Sequence, residues 1–236
     1  MASLRLRLER AVESALIEKV PRDHTQSDAE FRRRRIVVAV VLVCGATLLG
    51  VSLSVQPGDA TFYPLTLGVA AIWVIGGFLS GPLHLGYLPV RGTLRRPVLT
   101  GLAFGVLAGT IFVFGALVVR LIPVLHDYVQ NLLDHARYGS LPLIALITVV
   151  NAVAEEIFFR GGLFAAIGRT HPVLISTVIY AAATVATRNP MLVFAALSLG
   201  FVLALQRRAS GGILAPMITH VTWSMMMLFL LPPLFT

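Results

Sequence analysis

Long apolar stretches dominate this chain and limit the folds that are open to it. The composition is 57% hydrophobic and only 13% charged over 236 residues, whereas a soluble domain is nearer half apolar and a quarter charged. Several stretches reach the roughly 20 residues that a helix needs to cross a bilayer. The sequence therefore predicts an all-α, polytopic helical membrane protein with about seven transmembrane helices embedded in the lipid bilayer.

Turn residues and arginine runs separate the predicted spans. These spans cover residues 36–55, 62–85, 97–125, 141–168, 172–187, 190–205 and 213–231. The polar residues 126–139 are predicted to form an external loop or a short surface helix, and residues 207–212 to form a turn. In the third span Gly101, Gly105 and Gly109 recur every four residues, a spacing that permits close approach of two helices.

Basic residues concentrate on one predicted side of the membrane. Lys and Arg outnumber Asp and Glu by 19 to 11. With the N-terminus inside, the cytoplasmic side receives Arg32 to Arg35, Arg91, Arg95, Arg96, Arg169, Arg207 and Arg208, and the outer side receives Arg120, Arg137 and Arg188. This asymmetry predicts a plasma (inner) membrane protein with a cytoplasmic N-terminus. Because the arginines flank apolar runs, no nucleic-acid partner is expected.

The chain divides into a short N-terminal segment and one membrane domain. Residues 1–31 are predicted to be a cytoplasmic amphipathic segment, and residues 32–236 the membrane domain. One helical face of the segment carries Leu4, Leu8, Val12, Ala15 and Leu16. Two interpretations stay open, a solvated cytoplasmic helix or tail and an interfacial helix on anionic lipid.

Two adjacent carboxylates and an arginine interrupt the fourth predicted span. Ionised groups at membrane depth cost about 2.5–3.5 kcal/mol each on insertion scales, so spans carry them where they are paired and usually where they function. Glu156 and Arg160 lie four residues apart and predict a buried, structural ion pair. Glu155 shares a face with Asn151 instead, and it requires a second partner or water.

His220 is the candidate partner for Glu155. By the helical rise, His220 lies about 12 Å from Gly212 and Glu155 about 20 Å from Gly168. Both residues are therefore expected at similar depth from the cytoplasmic side. A lone histidine in a span is more often a packing residue, but a carboxylate without a partner favours a functional role. Ser224 lies four residues after His220 and shares its face.

Two sequence motifs resemble those of one membrane family. Glu-Glu-Ile-Phe-Phe-Arg-Gly, at 155–161, resembles the first motif (EExxxR) of the CPBP family. This family comprises type II CAAX prenyl endopeptidases and bacteriocin-processing and immunity proteins, and is also called the Abi family. Residues 213–220, Ile-Leu-Ala-Pro-Met-Ile-Thr-His, resemble its third-motif helix. The resemblance covers a core at 141–231 and implies peptide hydrolysis in the membrane by water activated between glutamate and histidine, with or without zinc.

The chain departs from the family pattern at two positions. The second motif is an aromatic residue followed four residues later by histidine, and here Tyr180 is followed by Thr184. In the third motif Ser224 replaces the usual asparagine. Glu155 and His220 are then the remaining metal ligands, one fewer than a catalytic zinc normally takes. The resemblance thus implies weakened zinc binding or a metal-free site.

The resemblance also implies a division of roles within the site. The candidate catalytic residues are Glu155 as general base, His220 as oxyanion stabiliser, and Glu156 with Arg160 beside them. The candidate supporting residues are Asn151, Tyr180, Thr184 and Ser224.

Three functions remain open on the sequence. The first is an intramembrane endopeptidase acting on a membrane peptide or protein of unknown identity, with altered chemistry. The second is a catalytically inactive relative that binds a membrane partner, as an accessory or immunity-type protein. The third, a small transporter that couples protons through Glu155, is disfavoured because no inverted repeat appears. An endopeptidase should lose its cellular role on Glu155→Gln, whereas an inactive relative should keep it.

Overall fold

The computed structural model describes Leu6 and residues 9–21, 24–90, 92–138 and 140–235. Leu4 and Leu8 of the predicted amphipathic face, and Arg91 of the predicted cytoplasmic arginines, lie outside these residues. Helices dominate the described part of the chain, and its strands form one two-stranded antiparallel hairpin.

Eight helices, labelled α1 to α8, follow one another in the described residues. They are α1 (Asp28–Ser52), α2 (Phe62–Ser80), α3 (Val98–Val119), α4 (Pro123–Arg137), α5 (Leu141–Ile167), α6 (Pro172–Thr184), α7 (Pro190–Ser210) and α8 (Leu214–Leu230). Shorter helical turns lie at Glu13–Ile17, Val185–Thr187 and Pro232–Leu234. The hairpin consists of β1 (Leu88–Val90) and β2 (Thr93–Arg95), between α2 and α3.

The helices confirm the predicted fold class. Within the described residues, five helices (α1, α2, α3, α5 and α7) are long and apolar enough to cross a membrane, and α6 and α8 are shorter apolar helices. The predicted third span was too long, because its helix ends at Val119 and α4 begins at Pro123. Proline is favoured in the first turn of a helix, where its missing N–H costs no hydrogen bond.

Helix α1 begins earlier than its predicted start at residue 36. Ser27 and Glu30 form a capping box, in which the Ser27 hydroxyl accepts from the Glu30 N–H at 3.3 Å and the Ser27 N–H donates to Glu30 Oε2 at 2.8 Å. The arginine run therefore lies within the helix. One of its members, Arg34, is buried and donates from Nη2 to the Pro82 carbonyl at 3.3 Å.

Hydrogen bonds among loops and helix ends identify two ends of the helix bundle. At one end, Ile213 N–H donates to the His84 carbonyl at 2.9 Å and Arg35 Nε donates to the Ala166 carbonyl at 3.1 Å. At the other end, His135 Nε2 lies 3.0 Å from the Val55 carbonyl. Arg169, Arg207 and Arg208 belong to the first end, which we call the arginine-rich end, and Arg120, Arg137 and Arg188 to the other. The helices thus alternate in direction as the span assignment requires.

The glycines of α3 serve helix packing, as their spacing predicts. A Cβ placed at Gly101 would lie 2.8 Å from Ile218 Cβ, and one at Gly105 would lie 2.5 Å from Thr222 Cβ. Helix α8 therefore lies directly against the backbone of α3. Elsewhere in the core, a hydrophobic cluster joins α1, α2 and α5. In this cluster Trp73 stacks on Phe158 with ring centroids 4.5 Å apart.

The arginine-rich end departs from the prediction in two ways. Helix α7 continues to Ser210, and Gly211 ends it with φ 71°, so Arg207 and Arg208 lie in its last turn rather than in a loop. In addition, the described part of the N-terminal segment packs on this turn. Val20 N–H donates to the Ala209 carbonyl at 3.1 Å, and Ala15 is buried.

Candidate active site

The first motif lies where helix α5 changes its hydrogen-bond pattern. Residues Glu156–Leu163 form a π-helix between two α-helical parts, and Phe164 N–H donates to the Phe159 carbonyl five residues back. Such π segments occur frequently at functional sites. All eight residues of the segment are buried, although it includes one glutamate and one arginine. Their charges must therefore be met by partners inside the protein.

Glu156 and Arg160 form the ion pair that their spacing predicts. Arg160 Nη1 donates to Glu156 Oε1 at 2.9 Å, and both side chains are buried. Arg160 Nη2 also donates to the Gly200 carbonyl of α7 at 3.0 Å, and the guanidinium lies 4.7 Å from the centroid of the Tyr180 ring. The arginine thus joins α5 to both α6 and α7.

His220 contacts Glu156, not Glu155 as the sequence indicated. His220 Nδ1 lies 2.9 Å from Glu156 Oε1, the oxygen that also accepts from Arg160. The expected pairing was wrong because adjacent residues on a helix point about 100° apart. Glu156 faces α8, and Glu155 faces a different neighbour. The other oxygen of Glu156, Oε2, is buried and has no hydrogen-bond partner among the described residues.

Tyr180 is the partner of Glu155. Its hydroxyl donates to Glu155 Oε2 at 2.5 Å, from α6 to α5. Glu155 is half-buried, and its other oxygen, Oε1, accepts no hydrogen bond from the described residues. The site therefore contains two carboxylates with different surroundings. One is half-buried and held by a phenol, and the other is buried and shared by an arginine and a histidine.

The remaining candidate residues have local roles in the structure. Thr184 is buried, and its hydroxyl donates to the Tyr180 carbonyl at 2.9 Å. Asn151 Nδ2 donates to the Ile147 carbonyl at 3.0 Å. Ser224 is half-buried on α8, one turn beyond His220. Thr184 thus satisfies its hydroxyl within its own helix and brings no second imidazole to the site.

The donor set does not fit a catalytic zinc ion. Catalytic zinc takes three protein ligands and one open position. Among the described residues, no group of three or more His, Cys, Asp or Glu side chains converges to hold a metal. Glu155 and His220, the two predicted ligands, are bonded to Tyr180 and Glu156 instead.

Two residues that shape the site escaped the sequence interpretation. The Gly200 carbonyl accepts from Arg160, and a Cβ at Gly200 would lie 3.0 Å from Tyr180 Cδ1 and 3.2 Å from Arg160 Nη2. Arg207 Nε donates to the Arg160 carbonyl at 2.7 Å. The sequence carried a signal for Gly200, because a glycine within an apolar helix indicates close packing. It carried no signal for Arg207, because that residue was assigned to a turn.

Comparison with known families agrees with the two motifs. Residues 137–226 match the family model described as type II CAAX prenyl endopeptidase Rce1-like. No curated protein and no solved structure matches the chain significantly. The matched part begins at the end of α4 and runs through most of α8, so it includes every residue of the site described above. Residues 137–226 of this membrane protein are therefore similar to the type II CAAX prenyl endopeptidase Rce1-like family, in agreement with the resemblance of its motifs.

Proposed function

We propose that this protein is an intramembrane endopeptidase that hydrolyses a peptide bond with a metal-free site. The observation that carries the proposal is the pair of unlike carboxylates. Glu155 keeps one oxygen free of hydrogen bonds from the described residues, whereas Glu156 orients an imidazole. A base and an oriented histidine on separate helices are the minimum needed to activate water and to stabilise the resulting oxyanion.

Glu155 acts as the general base in this mechanism. The Tyr180 hydroxyl holds Oε2, which fixes the plane of the carboxylate and leaves Oε1 to accept a proton from water. The hydroxide so formed attacks the carbonyl carbon of the peptide bond, and a tetrahedral oxyanion develops. Glu155 then returns the proton to the leaving nitrogen, and the C–N bond breaks to yield a carboxylate and an amine.

His220 stabilises the oxyanion in this mechanism. Glu156 accepts from Nδ1, so Nε2 is the nitrogen that remains for the substrate. The step therefore requires the imidazolium form, which carries a proton on both nitrogens and whose Nε2–H donates to the developing negative charge. Arg160 Nη1 also donates to Glu156 Oε1 and so helps to hold the carboxylate that orients His220. In this mechanism Glu156 and Arg160 are positioning residues.

The family resemblance suggests a substrate class, and the positions of the arginines suggest how the protein is oriented in the membrane. A prenylated C-terminal peptide is the first substrate to test, because the matching family is described as a prenyl endopeptidase. We also propose a plasma membrane location with a cytoplasmic N-terminus, since most of the described arginines lie at one end of the bundle.

The proposal is tested by comparing peptide hydrolysis by the natural protein with hydrolysis by the Glu155→Gln variant. Purified protein in liposomes is mixed with a farnesylated CAAX peptide, and the released tripeptide is measured by mass spectrometry. In parallel, new peptide termini are compared in membranes of cells that carry the natural protein or the variant. The natural protein should yield products that Glu155→Gln lacks, and Asp59→Asn, on an exposed loop, should behave like the natural protein.

A second candidate function is supported by Thr184. Its hydroxyl is occupied by the Tyr180 carbonyl, so position 184 supplies neither a base nor a ligand. A catalytically inactive relative that binds a membrane partner would require only the fold. If membranes carrying Glu155→Gln show the same termini and the same cellular phenotype as the natural protein, this function replaces the first.

A further inference from the structure

A cavity of about 810 Å³ opens at the arginine-rich end of the bundle, and Arg207, which contacts the Arg160 carbonyl, lies in its wall. The N-terminal segment, the end of α5, the start of α6 and the end of α7 surround it. None of Glu155, Glu156, His220 and Tyr180 lines it. The cavity is therefore a separate feature, and the proposed mechanism gives it no role.

The charged side chains that line the cavity in the described part of the chain are all basic. They are Lys19, Arg169, Arg207 and Arg208. Lys19 and Arg169 are exposed at the rim, and Arg207 is buried. Arg207 Nε donates to the Arg160 carbonyl at 2.7 Å, and Arg208 Nη2 donates to the Leu16 carbonyl at 3.2 Å. These hydrogen bonds to backbone carbonyls help to orient the two guanidinium groups.

The start of α6 adds to the positive potential of the cavity. His171, Pro172, Val173 and Leu174 line it, and they belong to the cap and first turn of this 13-residue helix. The first N–H groups of a helix lack partners within the helix, and they carry the positive end of its dipole. An anionic group in the cavity therefore meets both basic side chains and a helix N-terminus.

A nearby histidine, His84, lies beside the cavity wall and close to two arginines. His84 stacks on His24 of the cavity wall, with ring centroids 3.8 Å apart. Burial, followed by the charges of Arg207 and Arg34, lowers the pKa of His84 below its usual range. The imidazole thus resists protonation first because it is partly buried and second because Arg207 and Arg34 lie nearby.

One wall of the cavity is apolar and faces outward. Phe201 and Leu174, from α7 and α6, line the cavity and are 39% and 56% exposed. Leu205 and Phe164 continue this wall inward. In a membrane helix, exposed apolar side chains face lipid. The cavity thus connects a basic interior with the hydrocarbon side of the bundle.

We propose that this cavity binds one anionic lipid, with its phosphate headgroup among Lys19, Arg169 and Arg208 and an acyl chain along Leu174 and Phe201. The shared chemistry is a phosphate anion, which a soluble phosphate also carries. The apolar wall selects the lipid, because a free phosphate gains nothing from it. Basic pockets between membrane helices bind anionic headgroups through the same combination of charges.

The test measures lipid binding to the purified full-length protein in detergent by native mass spectrometry. The probes are dioleoyl phosphatidylglycerol, dioleoyl phosphatidylcholine and inorganic phosphate, the last measured by calorimetry. One phosphatidylglycerol should bind more tightly than phosphatidylcholine. Lys19→Gln with Arg169→Gln should weaken the binding of phosphatidylglycerol by about fivefold per residue removed, or about twenty-fivefold together. The binding of phosphatidylcholine should stay unchanged.

Two further variants separate the headgroup from the chain and control for surface charge. Phe201→Asn should weaken the binding of phosphatidylglycerol and leave the affinity for inorganic phosphate unchanged. Arg120→Gln with Arg188→Gln removes two exposed arginines of the opposite end, and all affinities should remain unchanged. Equal binding of the two lipids, or no loss in the Lys19 and Arg169 variant, overturns the proposal. Inorganic phosphate bound as tightly as phosphatidylglycerol also overturns it, in favour of a soluble ligand.

Discussion

His220 and Glu156 are joined through one carboxylate oxygen, with His220 Nδ1 2.9 Å from Glu156 Oε1. Arg160 Nη1 lies at the same distance from that oxygen. The ion pair that fixes α5 internally is therefore also the contact that holds the histidine of α8. Structural and chemical roles meet in Glu156, so a variant must be judged by folding and by hydrolysis separately.

Loss of Arg160 should destabilise the fold. Arg160→Ala leaves the Glu156 charge buried with one cationic partner fewer, and breaking a buried pair costs about 3–5 kcal/mol. The free energy of unfolding in detergent measures the loss. Glu156→Gln combined with Arg160→Met should recover part of it, because both charges are then absent. Asp134→Asn, which removes a partly exposed pair with Arg137, should cost about 0–1 kcal/mol. An Arg160→Ala variant as stable as the natural protein would contradict the role of the pair.

Gly200 should not tolerate a larger side chain. A methyl group there would lie 3.0 Å from Tyr180 Cδ1 and 3.2 Å from Arg160 Nη2, closer than ordinary van der Waals contact. Gly200→Ala should therefore lower the melting temperature, because overpacking costs about 1–3 kcal/mol. The matched control is Gly115→Ala in α3, where nothing within 4 Å meets the added Cβ. That control should be neutral or slightly stabilising, since alanine favours a helix over glycine. Equal melting temperatures for both variants would show that Tyr180 and Arg160 move aside freely.

The Tyr180 hydroxyl should matter for hydrolysis more than for folding. Tyr180→Phe keeps the ring beside Arg160 and Phe159 but removes the donor to Glu155. A hydrogen bond to a charged group contributes about 1.5–3 kcal/mol, so kcat should fall at least about tenfold with KM nearly unchanged. Tyr138→Phe, at an exposed tyrosine, is the control. If kcat is the same in both variants, Glu155 does not depend on Tyr180 for its orientation.

Labelling of single cysteines should determine the orientation of the bundle. In a Cys44→Ser background, Asp59→Cys should react with an impermeant reagent added outside, and Thr93→Cys only after the membrane is opened. Both positions are exposed and lie at opposite ends of α2. Thr93 is preferred to Gly92, whose φ of 79° strains other residues. The reverse labelling pattern would place the arginine-rich end, and the cavity within it, outside the cell.

The sequence predicted the elements better than the contacts between them. Apolar runs and arginine positions predicted the five described helices that are long enough to cross a membrane and the two shorter apolar helices, because composition and length decide whether a segment can cross a bilayer. The hairpin at Leu88–Arg95 was missed, since its strands have three residues each and carry no periodic signal. Helical spacing likewise predicted the Glu156–Arg160 pair, which is local. The partner of His220 could not be predicted, because it depends on how α8 rotates against α5.

Position 184 carries threonine where the second motif of the family has histidine, and zinc binding by variants tests the effect of this difference. Thr184→His alone adds an imidazole one turn from Tyr180, but the Tyr180 hydroxyl still holds Glu155. Tyr180→Phe with Thr184→His releases that carboxylate and restores the aromatic-to-histidine pattern of the family. Two histidines and one carboxylate suit zinc with an open position for water. We therefore expect the double variant to bind more zinc than the natural protein and more than either single variant.

Metal analysis after identical purification measures this zinc binding, with His220→Ala added to the double variant as the control. Stoichiometric zinc in the natural protein, lost on His220→Ala, would show instead that His220 leaves Glu156 to bind metal. No gain in the double variant would show that α5, α6 and α8 do not converge closely enough for three ligands, a result that favours the partner-binding function.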